Sequence, residues 1–354
     1  MVKINAVALN LHDHNTYDGV FHNQRERHTR FKHNLPYHAE AYNHQSDILN
    51  PGDYRLNDEF TEKYFKKPDN GVLAFSYTFG GVRKSKEELL KTILKGHDEI
   101  FNYDPKTLWD NYYKDNIYFI DHHQSHAAYA FLNSGFLESD ILAIDGIGSK
   151  FRCVFFDKDY KLYDLSDKLP IGWLWNHMSN LTGFGTLGAS KLMGKVGYGK
   201  HSDYYYNVFE VIFGGEITER KQEHFKEIRL DSIDDLAYTL QEFTIDKIKE
   251  HVLPLKTTNK LCIAGGVAYN GYMNEMFTEY YDDVFVPPAV GDEGQAIGVY
   301  QHADYMLNKN IHKSNLYAGK EYEFVGDEKV DYREVAQAIA DGKIVGWFQG
   351  KSES

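Results

Sequence analysis

The sequence predicts an α/β protein with an internally repeated layout, and three observations carry that prediction. A strand–polar turn–strand unit occurs twice, helical patterning alternates with short buried strands in the second half, and the composition is that of a globular chain. The 354 residues suffice for roughly two domain-sized units. Hydrophobic residues make up 42% and charged residues 26%. Tyr (27) and Phe (22) are frequent; tyrosine suits half-wet pocket walls, but that choice selects no function.

The first unit runs Ile4-Asn5-Ala6-Val7-Ala8-Leu9-Asn10-Leu11 and breaks into the polar loop His12-Asp13-His14-Asn15. The second runs Asp140-Ile141-Leu142-Ala143-Ile144, breaks into Asp145-Gly146-Ile147-Gly148-Ser149, and is followed by an apolar strand, Phe151 to Phe156. The two lie about 135 residues apart, a spacing that a duplicated domain produces and that two unrelated hairpins also allow. Between them Tyr37 to Asp121 reads as mostly polar and aromatic-rich, with a helix expected near Lys84–Gly96.

Helical patterning returns over Leu230–His251, where Ile233, Leu236, Leu240, Phe243 and Ile248 recur at three- to five-residue steps. A buried strand is expected at Lys260–Ala264, then Gly265-Gly266, a helix from Asn270 to Tyr280 and a short strand at Asp283–Val286. Pro287-Pro288 ends that strand, and a helix is expected after Gly291-Asp292-Glu293. Asn308 to Lys329 reads as a linker, Tyr332–Ala340 as a helix and Lys343–Phe348 as a strand. A strand running into a loop at the end of the chain reads as the opening of a further unit, so a fragment or a split protein is expected.

The net charge of −13 argues against nucleic acid as a partner, because phosphate binding needs clustered Lys and Arg. No window approaches the roughly 18 consecutive apolar residues of a membrane span. Met1 to Asn5 lacks the pattern of a secretion signal. Only two cysteines occur, Cys153 and Cys262, both in apolar runs. A disulfide framework is not expected, and a reducing cytoplasm fits.

The strongest local signal is Asp121-His122-His123-Gln124-Ser125-His126-Ala127-Ala128. On a helix, His122 and His126 project from one face and can share one metal ion. Metalloproteases place Glu directly after the first His; here His123 stands there, so a peptidase lacks its base. Two carboxylates are candidates to complete the shell. Asp145 ends an apolar strand, and Asp292 precedes a helix, where it can equally serve as an N-cap. Two His and two Asp suit iron, zinc or manganese alike. The glycine turns Asp145-Gly146-Ile147-Gly148-Ser149 and Ala264-Gly265-Gly266-Val267 follow buried strands, where backbone amides can approach phosphate or ribose. Neither matches a P-loop or the dinucleotide fingerprint, and each alone is equally a structural turn.

Taken in order, these segments resemble the O-carbamoyltransferase family of the nodulation-factor and tobramycin type. The resemblance is carried by His12-Asp13, Glu26-Arg27-His28-Thr29-Arg30-Phe31-Lys32-His33, His122 to Ala128, Lys191-Leu192-Met193-Gly194 with Tyr198-Gly199, Ala264 to Asn270, and Gly291-Asp292-Glu293-Gly294. It implies an actin-like fold (the ASKHA class) of two duplicated ribonuclease-H-like lobes, here 1–139 and 140–307, then a linker at 308–330. The tail, 331–354, resembles the start of a YrdC-like C-terminal domain, truncated before that family's Gly-Pro-Arg-Ala-Leu-Gly stretch.

The resemblance also implies the chemistry. The missing YrdC-like domain, in cis or in trans, joins carbamoyl phosphate to AMP from ATP. The present domain then moves the carbamoyl group from carbamoyl-adenylate to a hydroxyl of a small acceptor. Metal ligands are implied at His122, His126, Asp145 and Asp292, with iron foremost. Nucleotide contacts are implied at Gly146, Gly148, Ser149, Lys191, Gly265, Gly266 and Asn270. His12 is implied as the base for the acceptor hydroxyl and Lys32 as the cation for developing negative charge. Three departures stand out: Ser149 replaces a frequent Glu, Ala189-Ser190 stands within the family's Gly-Glu-x-Lys, and His14-Asn15 replaces Ala-Ser. The alternatives are a transfer-RNA threonylcarbamoyl relative, an actin-like sugar kinase, and a non-catalytic nucleotide-binding protein.

Overall fold

The computed structural model describes residues 1–9, 14–24, 69–77, 112–114, 116–146, 148, 151–185, 188–213, 225, 228–315, 317–319 and 330–347. In chain order the elements are β1 (Lys3–Leu9), β2 (His14–Tyr17), β3 (His22–Gln24), β4 (Gly71–Tyr77), β5 (Tyr112–Lys114), β6 (Ile117–Phe119) and α1 (His122–Ser134). There follow β7 (Asp140–Ile144), β8 (Cys153–Phe156), β9 (Leu162–Asp164), α2 (Ile171–Leu181), α3 (Ala189–Met193), α4 (Asp203–Phe213) and α5 (Ile233–Val252). The last are β10 (Lys260–Ala264), α6 (Gly271–Phe277), β11 (Asp283–Phe285), α7 (Gln295–Asn308) and α8 (Tyr332–Ala340).

The strands form a six-stranded sheet, β3-β2-β1-β4-β6-β5, and a five-stranded sheet, β9-β8-β7-β10-β11. Both follow one plan. In the first, β1 pairs antiparallel with β2 and β2 with β3, while β4 lies parallel to β1 and β6 parallel to β4. In the second, β7, β8 and β9 form the antiparallel meander, and β10 and β11 continue in parallel on the other side of β7. The same order and directions, built twice, are those of two ribonuclease-H-like lobes in an actin-like fold. The extra strand β5 closes the first sheet, antiparallel to β6.

Sequence dictates these strands through burial. Parallel strands covered on both faces read as continuous apolar runs rather than alternating ones, and every residue of β7 is buried, as are Leu261 to Ala264 of β10. Helices α1 and α7 form the layer between the sheets: α7 packs on β1 and β4, α1 packs on β10 and β7, and the two helices pack on each other. On the far side of the second sheet, Phe243 of α5 is fully buried amid rings from α4, at centroid distances of 5.4 Å to Tyr206, 5.7 Å to Phe209 and 5.1 Å to Phe213. Among the described residues no helix is long and apolar enough to cross a membrane.

Three differences from the sequence expectations matter. The stretch read as mostly polar contains β4, whose residues Val72 to Phe75 are buried, together with β5 and β6. The four-residue apolar run Val72–Phe75 is long enough for a core strand, but the polar composition around it hides the signal. The strand expected at Lys343–Phe348 is absent over 343–347, where Ile344 is wholly exposed; a strand persists only when a neighbour takes up its backbone hydrogen bonds, and no described strand lies beside it. The residues after α7 pack rather than span: His312 O accepts from Gln301 Nε2 (2.9 Å), and Ala318 O accepts from His22 N (3.0 Å). The helix expected near Lys84–Gly96 lies outside the described residues.

Truncating Phe243 to alanine leaves a ring-sized void among three aromatic neighbours. Phe243→Ala should cost about 3–5 kcal/mol of unfolding free energy, measured by chemical denaturation; a loss near zero would mean that α4 and α5 do not pack as described.

Candidate metal centre

Helix α1 begins on the histidines because Asp121 caps it, with Oδ1 accepting from His123 N (2.9 Å) and Gln124 N (3.2 Å). His122 and His126 lie one turn apart, both fully buried, with their Nε2 atoms 3.2 Å from each other. Asp145 leaves the C-terminal end of β7, its N bonded to Arg152 O (2.7 Å) across the hairpin and its Oδ1 accepting from Gly146 N (2.6 Å). That leaves Oδ2 facing His122 Nε2 at 3.1 Å and His126 Nε2 at 3.4 Å. Asp292 opens a short 3-10 turn, Asp292–Gly294, ahead of α7, and its Oδ1 stands 3.4 Å from His122 Nε2 and 3.3 Å from His126 Nε2. One ligand atom from each of the four residues lies within 4.8 Å of the other three.

These separations match those expected of ligands arranged around one cation. Ligands about 2.0–2.1 Å from one ion stand roughly 3.3 Å apart in a tetrahedron and about 3 Å apart as neighbours in an octahedron. The charge agrees: two aspartates and two neutral imidazoles carry about two negative charges, and buried charge needs a counter-charge. Without a cation, protons fill that role. Burial opposes charge on His126, but hydrogen bonds to Asp145 and Asp292 outweigh it and push its pKa up to about 9. Burial likewise works against ionised Asp145, yet the bonds from His122 and His126 hold it well below the usual carboxylate range. A metal therefore enters by displacing protons. His123 behaves oppositely: burial, then the neighbouring His122, lower its pKa to about 4. Asp292 is not the helix cap that its position allowed, since Gly294 precedes α7 and no side chain caps that helix locally.

The glycines fit around this cluster. A Cβ on Gly148 would come within 2.4 Å of His123 Cε1 and 2.8 Å of His122 Cδ2, so only glycine leaves room for the histidine rings. Gly265 turns with φ +94, where a side chain is strained, and a Cβ there would stand 2.2 Å from Ile144 O. Gly266 faces Asp145 Oδ1, and Gly146 packs against Gly172 at the start of α2. Lys191 is exposed on α3. Asn270 uses its amide to cap α6, Oδ1 accepting from Met273 N (3.0 Å), and to bond Gln241 Oε1 (2.8 Å) rather than to face the cluster. His12, Lys32 and Ser149 lie outside the described residues. Two contributors escaped sequence reading: Gln295, whose Nε2 donates to His122 O (3.2 Å), and Asn15, bonded to the Asp292 turn. Gln295 directly follows the Gly-Asp-Glu-Gly segment, which is the one local hint; Asn15 gives none beyond its departure from Ala-Ser.

The family described as "Carbamoyltransferase N-terminus" matches residues 20–300. The chain belongs to that family. Among curated relatives, nodulation protein NolNO of Sinorhizobium fredii is 29% identical over 67% of this chain and 41% of its own length. The 3'-hydroxymethylcephem-O-carbamoyltransferase of Streptomyces clavuligerus is 29% identical over 31% of this chain and 23% of its own. The chain spans about half the length of the curated relatives it matches first. Among solved structures, the activator of the 2-hydroxyisocaproyl-CoA dehydratase from Clostridium difficile is similar with a TM-score of 0.45 at 12% identity, covering 87% of this chain and 98% of that one.

Because Gly148 makes room for two rings, one of them a ligand, Gly148→Ala should weaken binding of Co(II), used as a visible probe, by roughly tenfold or more. Unchanged affinity in a Co(II) titration would show that the rings do not depend on that space.

Proposed function

We propose that this chain is the metal- and nucleotide-binding part of an O-carbamoyltransferase, moving a carbamoyl group from carbamoyl-adenylate to the hydroxyl of a small acceptor. The observation that carries the reading is the buried pair of histidines and pair of aspartates with converging ligand atoms, in a chain of the carbamoyltransferase family. His122, His126, Asp145 and Asp292 would hold a divalent transition metal, with iron foremost and zinc or manganese also suited to the donor set. When bound, such an ion supplies positive charge that orients nucleotide oxygens.

The chain's own residues supply the rest. The turns at Gly146, Gly148 and Gly265–Gly266 follow β7 and β10; the amides of Gly146, Gly148 and Gly265 donate to Asp145 Oδ1, Phe151 O and Val290 O, so a nucleotide would approach through the open space beside Gly146 rather than through those three amides. Ser149, Lys191 and Asn270 complete the proposed nucleotide contacts. His12 takes the proton from the acceptor hydroxyl as its oxygen attacks the carbamoyl carbon. The bond from that carbon to the adenylate oxygen breaks, and AMP leaves with the electron pair. Lys32 stabilises the charge that builds on the carbonyl oxygen or phosphate. Carbamoyl phosphate and ATP reach the site as the adenylate, made by a YrdC-like unit in cis or in trans, with 331–354 as the opening of that unit and 308–330 as its link to the lobes at 1–139 and 140–307. The two free, buried cysteines support a reducing cytoplasm as its location.

The test combines metal analysis with calorimetry on the full chain. About one transition-metal ion per chain is expected, lost in His126→Ala, and a stable carbamoyl-adenylate analogue should bind more tightly than AMP. With carbamoyl phosphate and ATP, the chain alone should form no carbamoyl-adenylate. A preparation that neither carries nor takes up iron, zinc or manganese defeats this reading, and equal binding of AMP and the analogue favours an actin-like kinase.

A further inference from the structure

We propose that Asn15 is a positioning residue that fixes the Asp292 ligand turn from the first sheet; the inference rests on the four-ligand reading above. Asn15 is fully buried in β2, the middle strand of the first meander, with its backbone in register with Ala8 on one side and Gln24 on the other. Its side chain reaches away from its own sheet pairing to two backbone groups some 280 positions later. Nδ2 donates to Asp292 O at 2.8 Å, and Oδ1 accepts from Ala296 N at 2.8 Å.

Both partners need that amide. The first N–H groups of a helix have no carbonyl within the helix to bond, and α7 has no side-chain cap of its own, since Gly294 occupies the cap position. Ala296 N is one of those groups, so Asn15 Oδ1 acts as a cap supplied from another element. The donation to Asp292 O fixes the peptide of the very residue whose Oδ1 faces His122 and His126. One planar amide therefore sets both the start of α7 and the direction of the aspartate that precedes it. Gln295, the residue between, bonds His122 O, so the same turn also holds the first turn of α1.

A carboxamide presents its donor and its acceptor on separate atoms of one planar, uncharged group, and Asn15→Asp separates the two functions: it keeps an acceptor for Ala296 N and removes the donor to Asp292 O. Outer contacts to metal ligands typically carry 10–100-fold in affinity. Asn15→Asp is expected to lower Co(II) affinity of the full chain by roughly that factor and to alter the visible absorption of the bound ion. Asn15→Ala, which adds no charge and has neither donor nor acceptor, should do the same and covers the case in which the aspartate unfolds the protein.

The control is Asn133→Ala. Asn133 ties the other end of the same helix pair, with Nδ2 donating to Tyr129 O (2.7 Å) and to Gln301 Oε1 (3.2 Å). It should lower the thermal midpoint and leave Co(II) affinity and spectrum unchanged. If wild-type protein binds Co(II) and both Asn15 variants match it in affinity and spectrum, the positioning role is overturned while the metal reading stands. If the wild type binds no Co(II), the metal reading falls, and this inference with it.

Discussion

Two carboxylates and two imidazoles meeting in a largely buried cluster impose the dominant constraint on this molecule. Charge in such a place is costly unless matched, and four groups whose contacts fall between 3.1 and 3.4 Å stay together only around a cation or shared protons. The surrounding architecture answers that demand. Asp121 caps the helix that bears the histidines, Arg152 and Gly146 fix the backbone and one oxygen of Asp145, and Asn15 holds the Asp292 turn. Each contact restricts a ligand before any ion arrives, which lowers the conformational cost of binding one.

The ligands come from different parts of the repeated fold. Asp145 belongs to the second sheet, α1 packs on that sheet, and Asp292 leads into α7, which packs on the first. The centre therefore sits on the seam between the sheets, where strand ends and helix starts converge. That is where an α/β architecture ordinarily places its ligands, because loops at the carboxyl ends of strands are free of sheet hydrogen bonding. The glycine at position 148 fits this arrangement, since any side chain there would displace a histidine.

Much of the second half was legible in the residues. Wholly apolar runs ended by glycine or aspartate announced β7 and β10, and the periodicity of Ile233, Leu236, Leu240 and Phe243 announced α5 within a few residues of its ends. The histidine pair declared itself by its spacing. The first half was harder to read. Strand β4 lies inside a long polar stretch, and its parallel partner β1 lies some seventy positions earlier, so no local turn signal marks the pairing. At 343–347 the reverse occurred: an apolar run that reads as a strand has no described neighbour to complete it.

Sequence alone determined which residues have side chains able to ligate a metal, which runs must be buried and where helices can start, because these follow from side-chain type and short-range period. Only the tertiary structure decided that His122, His126, Asp145 and Asp292 face one point, that Gly148 is a space for rings, and that Asn15 serves a turn 277 positions away. The reason is physical: convergence depends on strand order and helix crossing, which are set by long-range packing that no local pattern encodes.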